Sequence, residues 1–175
     1  MIILIAGCSH TGKTVLAQKL LEKYHMPYLS IDHVKMGLIR SGQTQLTPMD
    51  SDEALTEYLW PIVREMIKTA IENDQNLIVE GVYIPFDWAG DFEKRYLAQI
   101  RYICLVMTEE YIREHFEDIC AHANDVEKRL EDGLDMEEMI RDNQENLRRC
   151  QEYGCEYILI RDSYDVEVQT GSWSI

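Results

Sequence analysis

Gly7-Cys8-Ser9-His10-Thr11-Gly12-Lys13-Thr14 matches the pattern G-x-x-x-x-G-K-[ST] at every fixed position. An apolar strand candidate, Ile2 to Ala6, precedes it, and a helix-like stretch, Val15 to Tyr24, follows. Glycines at these two positions let backbone N–H groups converge on an anion, and the following helix points its positive end at the same place. The pattern predicts a seat for a triphosphate built from Gly7, Ser9, His10, Thr11, Gly12, Lys13 and Thr14, with His10 contributing mainly its backbone. Lys13 would reach the β- and γ-phosphates, and the Thr14 hydroxyl would take a place on Mg²⁺.

Two carboxylates stand where predicted strands end. Asp32 follows Leu29-Ser30-Ile31, and Glu80 follows Leu77-Ile78-Val79. An acid beside a phosphate loop can hold a metal-bound water or take the proton of an attacking hydroxyl. Asp32 is read as base or acceptor-orienting group, with a helix cap for the segment from His33 as its alternative. Glu80 is read as the metal-side or substrate-side acid, or else as a strand-end surface carboxylate. The two roles are interchangeable at this level.

Cations must then neutralise the phosphoryl group in flight. Arg129 sits with Lys128 in the polar stretch Ala121 to Leu134, which is where a closing lid belongs in a phosphoryl-transfer enzyme. Arg129 ranks first for that task, followed by Arg113 on the helix leading in and Arg141 on the helix leading out; each is otherwise a surface charge. Arg113 is placed on the nucleotide side. Lys35 and Arg40 either grip a carboxylate or single phosphate of a small metabolite, or decorate an amphipathic helix. Tyr58, Trp60 and Tyr83 read as core aromatics before they read as stacking platforms, and His115 and His122 lack metal-ligand spacing.

The elements that must position these groups alternate between short apolar runs and helical patterns, the mark of a parallel α/β sheet. Strands are predicted at Ile2–Ala6, Tyr28–Ile31, Leu77–Val79, Tyr102–Met107 and Tyr157–Ile160. Helical stripes run through Ile62 to Ile71, Ile112 to Cys120 and Met136 to Cys150. A helix start is expected near Ser51, and Pro61 predicts a kink or break at Trp60. Right-handed crossovers between parallel strands gather their carboxyl ends on one edge.

At 175 residues, the chain suggests a single domain spanning 1–175, with an acceptor region at about 33–76 and a lid at about 121–134. Lys and Arg total 17 against 32 Asp and Glu, a formal net charge of −15. That excess repels phosphate backbones and anionic membranes, so neither nucleic acid nor a membrane is expected as a partner. Five scattered cysteines without C-x-x-C spacing fit free thiols in a reducing cytoplasm. Leu4-Ile5-Ala6-Gly7-Cys8 has neither the basic lead-in nor the apolar length of a signal peptide. The stripes leave the oligomeric state open.

Taken with the phosphate loop, Leu29-Ser30-Ile31-Asp32, Leu77-Ile78-Val79-Glu80-Gly81 and the late polar insertion, the chain resembles the small P-loop kinases, a group including adenylate, shikimate and gluconate kinases and antibiotic- or toxin-type phosphotransferases. Ile78-Val79-Glu80-Gly81-Val82 followed by Pro85 is similar to the corresponding stretch of 2-phosphoglycerate kinase-like proteins. The resemblance covers most of the chain in order, with the phosphate loop its one specific motif. It implies a P-loop NTPase fold of five parallel strands in the order 2-3-1-4-5, helices on both faces, ATP and Mg²⁺, an acceptor pocket between the second and third strands, and an arginine-bearing lid.

Arg40 can fill the place of an arginine that adenylate kinase-like enzymes carry after the second strand. The arginine they carry after the third has no counterpart in Gly81-Val82-Tyr83-Ile84-Pro85-Phe86. A dianionic monophosphate calls for paired guanidinium forks, so the expected acceptor is the hydroxyl of a small metabolite or nucleoside-like molecule. A nucleoside monophosphate kinase is the alternative. A GTPase-type switch is weaker still, because Asp87-Trp88-Ala89-Gly90 lies beyond the third strand and no N-K-x-D motif occurs.

Overall fold

The computed structural model describes residues 1–122, 134–164 and 166. Five parallel strands form one sheet in the order β2-β3-β1-β4-β5. They are β1 (Ile2–Gly7), β2 (Tyr28–Ser30), β3 (Leu77–Glu80), β4 (Ile100–Met107) and β5 (Tyr157–Ile160). This is the expected fold, with β5 matching its predicted limits at both ends. Helices α1 (Lys13–Tyr24), α2 (Ile31–Arg40), α3 (Asp52–Glu72), α4 (Lys94–Leu97), α5 (Glu109–His122) and α6 (Met136–Tyr153) connect them.

β1 explains the layering. Every residue from Ile2 to Gly7 is buried, as a central parallel strand covered on both faces requires. Ile2, Leu4 and Ala6 face one core with Leu55, Leu59 and Val63 of α3. Ile3 and Ile5 face the other with Leu16, Ala17 and Leu20 of α1 and Ile112 of α5. α6 bridges the two, giving Met139 and Ile140 to the second core and Leu147 and Cys150 to the first.

Two boundaries were set by caps rather than by apolar pattern. β2 stops at Ser30, and Ile31 already opens α2, with Ser30 in extended geometry at the N-cap position. Asp32 is therefore a first-turn residue of α2, and the cap reading for it falls. Ser51 caps α3 as expected, accepting a hydrogen bond from the Ala54 N–H.

Of the kink or break expected at Trp60, the break does not occur: α3 runs from Asp52 to Glu72 with Pro61 inside it. Pro61 and Glu57, whose carbonyl loses its helical partner, both face solvent. Water can satisfy that carbonyl while Leu55, Leu59, Trp60 and Val63 hold the opposite face in the core.

Register places the chemistry. Ser30 pairs with Glu80, Glu80 with Ile5, and Gly7 with Leu105, so β1, β2 and β3 all end on one edge. Gly81 holds this corner, donating its N–H to the Ile5 carbonyl at 3.1 Å. A Cβ on Gly81 would lie 2.9 Å from the Ile31 Cβ, with both atoms anchored to backbone. Gly81→Ala should therefore cost about 1–3 kcal/mol by overpacking. Gly90→Ala, where a Cβ meets nothing within 4 Å, should stay within about 0.5 kcal/mol. Urea denaturation midpoints of the two variants check the contrast, and equal midpoints would contradict this account of the corner.

Candidate functional site

The loop leaving β1 turns through left-handed backbone at Gly7 (φ 143°), His10 (φ 63°) and Gly12 (φ 79°). A side chain at Gly7 would meet the Leu105 carbonyl oxygen at 2.6 Å, so the loop passes against β4 with no room to spare. His10 holds its left-handed conformation without being glycine, a strain of order 1–3 kcal/mol of the kind that gathers at functional loops. Gly12 is the N-cap of α1, and the Leu16 N–H closes the first helical bond on its carbonyl at 2.9 Å. The N–H groups that precede this bond lie at the loop end of the helix. This is anion-binding geometry.

Side chains brace the loop from within. Thr11, fully buried, donates to the Cys8 carbonyl at 2.8 Å. Lys13, 6% exposed, donates to the same carbonyl at 2.6 Å. The Thr14 hydroxyl donates to Glu80 Oε1 at 3.3 Å, and Glu80 is 1% exposed at the end of β3. The two residues named from sequence for Mg²⁺ are thereby in contact. An all-oxygen pair leaving the remaining positions to phosphate and water suits Mg²⁺, which seldom takes an all-protein cage. Among the described residues, no group of three His, Cys, Asp or Glu forms a metal cage.

On the β2 side, the Lys35 ammonium donates to Asp32 Oδ1 and, at 2.8 Å, to the Tyr83 hydroxyl. Lys35 and Asp32 keep 12% and 21% of their side-chain surface exposed. Burial disfavours the Lys35 charge, but the hydrogen bonds to Asp32 and Tyr83 outweigh it and hold the ammonium above the ordinary lysine range. Burial raises the Tyr83 phenol, with Lys35 opposing. Sequence reading set Tyr83 among core aromatics; its ring is buried, but its hydroxyl belongs to this cluster.

The remaining candidates are dispersed. Arg40 is exposed at the last turn of α2. Arg113 is exposed on α5 and binds Glu137 with both guanidinium arms, at 2.8 and 3.3 Å, and Glu109 through Nε at 2.9 Å. Arg141 is exposed on α6 and Ser9 in the loop. Lys128 and Arg129, with most of the lid interval, lie outside the described residues. Asp87-Trp88-Ala89-Gly90 runs into a short 3₁₀ turn, Trp88–Asp91, where Asp91 accepts from the Trp60 indole at 2.7 Å. On the same sheet edge, beyond β4, a groove of about 600 Å³ opens between Thr108, Glu109, Asn143, Gln144, Arg161 and Asp162.

Two loop contacts had no signal in local pattern, and a third contact, at the end of β4, had a faint one. Tyr164 donates to the Gly12 carbonyl at 2.7 Å, its ring filling the space a Gly12 side chain would need. Asn146 of α6 donates to the Cys8 sulfur at 2.9 Å. Asn143, which interrupts an otherwise apolar stripe, is 1% exposed and accepts from the Met107 N–H at 2.9 Å. That interruption was the one readable clue.

Burial pushes the Cys8 thiol up to about 12, against Lys13 and with help from Asp142 and Asp52. Burial likewise raises Asp142, with Glu138 and Asp52 adding to the rise and Arg141 opposing it. The first residue of α3 and the middle of α6 therefore act electrostatically on the phosphate loop. At pH 8 the Cys8 thiolate fraction is on the order of 10⁻⁴, and the thiolate is the reactive form. A disulfide reagent at pH 8 should leave Cys8 unlabelled in the folded chain, the rate rising about tenfold per pH unit up to its pKa. Peptide mapping after timed labelling checks this, and labelling as fast as in the denatured chain would contradict it.

No protein-family model matches the chain, and no curated protein matches it in sequence. Solved structures do. A provisionally assigned kinase from Chloroflexus aurantiacus is similar over 98% of this chain and 92% of its own, with TM-score 0.54 and 16% identity. A structure from the PezAT chromosomal toxin–antitoxin system of Streptococcus pneumoniae is similar over 92% of this chain and 66% of its own, with TM-score 0.51 and 15% identity. Shikimate kinase from Bacteroides thetaiotaomicron follows, over 92% and 85%, with TM-score 0.49 and 13% identity. At these identities the likeness is one of architecture, and that architecture, with its strand order and its loop after β1, is the small P-loop kinase fold.

Proposed function

We propose that the chain is an ATP-dependent phosphotransferase that moves the γ-phosphoryl group to a hydroxyl of a small acceptor. The observation supporting this most directly is the convergence of Lys13, the Thr14–Glu80 contact and Asp32 on one sheet edge, with Ser30 and Glu80 paired across β2 and β3. A triphosphate seat alone is common to many activities. A carboxylate in the first turn of α2, just past the end of the next strand but one, suits an acceptor hydroxyl.

In this reading, backbone N–H groups from Cys8 to Lys13 and the Lys13 ammonium cradle the β- and γ-phosphates. Thr14 and Glu80 would hold Mg²⁺, which when bound neutralises charge on the bridged phosphate oxygens. Asp32 orients or deprotonates the acceptor hydroxyl, whose oxygen bonds to the γ-phosphorus as ADP leaves. Arg129 remains the sequence's first candidate for the cation that meets the transferring group. Arg113, committed to Glu137 and Glu109, would have to leave those partners to join it. The absence of a second acceptor-side arginine after β3 supports a hydroxyl over a monophosphate acceptor.

Calorimetry and a coupled ADP assay test the reading together. Lys13→Ala should abolish Mg-ATP uptake, whereas Asp32→Asn should keep it and lower acceptor-dependent kcat by about 10²–10⁴-fold. No Mg-ATP uptake by the folded protein, or unchanged turnover in Asp32→Asn, would overturn the assignment. Arg129→Ala should lower kcat far more than it weakens ATP binding, and equal losses in both would remove Arg129 from the transfer step.

A further inference from the structure

The amine of Lys35 is committed to two partners in this structure. Lys35 lies one helical turn beyond Asp32, at i and i+3 on α2, so the two side chains share a face. Tyr83 comes from a different element, the loop after β3, and its hydroxyl closes the cluster at 2.8 Å. The same ammonium lies 4.9 Å from the Tyr83 ring centroid, so phenol and ring both hold it. Asp32 is thus tied, through Lys35, to the loop that follows the strand carrying Glu80. An ammonium so occupied cannot grip an anionic substrate without giving up contacts made at low exposure. Asp52 adds to the negative field at this cluster, acting on Tyr83 in the same sense as Asp32.

Resting on the phosphotransferase reading, we propose that Lys35 is a positioning residue, holding Asp32 against Tyr83 for the acceptor hydroxyl, and that the acceptor is a polyol without a carboxylate or phosphate group. The Lys35–Tyr83 strut fixes one rotamer of Asp32 and leaves its second oxygen to accept from the substrate. Acceptor selectivity then follows from charge: an acidic group would meet Asp32, reinforced by Asp52, with Lys35 already paired. A neutral or amine-bearing polyol meets no such opposition.

The purified full chain with Mg-ATP should be offered shikimate, gluconate and 2-phosphoglycerate on one side, and myo-inositol, glucose and glucosamine on the other. ADP release and mass spectrometry of the product are read together. Phosphorylation confined to the second set is the expected result; phosphorylation confined to or favouring the first overturns the proposal. With the best acceptor, Lys35→Met should lower kcat by about ten- to a hundredfold, while KM for acceptor and for Mg-ATP stays within about twofold. Lys35→Arg should recover part of the loss, and Tyr83→Phe should lose less. Because Lys35 acts through Asp32, Lys35→Met added to Asp32→Asn should cost nothing further. A raised acceptor KM with kcat unchanged, or additive losses in the double variant, would make Lys35 a substrate ligand and sink the proposal. Should no compound of either set be phosphorylated, the proposal falls, and calorimetry separates the two failures. Mg-ATP uptake that Lys13→Ala abolishes keeps the phosphate-loop reading, and no uptake removes both. Thermal melts of each variant show that it is folded, with Lys35→Arg and Tyr83→Phe as the milder pair.

Discussion

The close passage of the loop at Gly7 against the Leu105 backbone is the constraint on which the site rests. With the missing side chain 2.6 Å from a carbonyl oxygen, the chain leaves β1 by one route, through positive φ at Gly7, His10 and Gly12. That route delivers α1 with its first turn against the loop, and it sets Lys13 on the Cys8 carbonyl and Thr14 beside the end of β3. A residue with a Cβ at Gly7 would have to move β4 or the loop, and either displaces the whole constellation. The burial of β1 on both faces makes the first alternative expensive.

Electrostatics then narrow what the site can hold. The chain carries 32 acidic residues against 17 basic ones, and many described cations are already engaged with acids. Arg64 meets Glu65 and Asp91, Arg113 meets Glu109 and Glu137, and Arg148 meets Glu145 and Glu152. Such exposed pairs contribute little to stability individually. Their effect is on recognition, because guanidinium groups so engaged do not form a basic patch. Among the described residues, the loop is where a buried cation, Lys13, and the partial charge of a helix start come together to attract a polyanion.

Much of this was legible in the chain. β5 was readable residue for residue, since its apolar run is cleanly bounded, and the phosphate loop is defined by spacing alone. β4 begins at Ile100, two residues before its prediction, because exposed Arg101 interrupts the apolar signal although its backbone pairs with Ile3. At Pro61 the complementary effect operates: local backbone preference allowed a break, and tertiary burial of Leu59, Trp60 and Val63 kept the helix continuous. The bonds of Tyr164 to Gly12 and Asn146 to Cys8 span 152 and 138 positions. No periodic pattern encodes contacts of that separation. Asp32 and Glu80 could be read as strand-end acids, but the tie between Asp32, Lys35 and Tyr83 needed the loop after β3 to be placed in space.

Strand order bears on how the molecule is made. β1 precedes the other four strands of the sheet and is the central one, yet its neighbours β3 and β4 begin only at Leu77 and Ile100. During translation, an apolar hexapeptide therefore waits with both hydrogen-bonding edges open until much of the chain has left the ribosome. Parallel pairing across such distances is slow, and unpaired edges invite association between nascent copies. The loop after β1, although it precedes the other four strands in the chain, is thus among the last parts of the sheet edge to be finished.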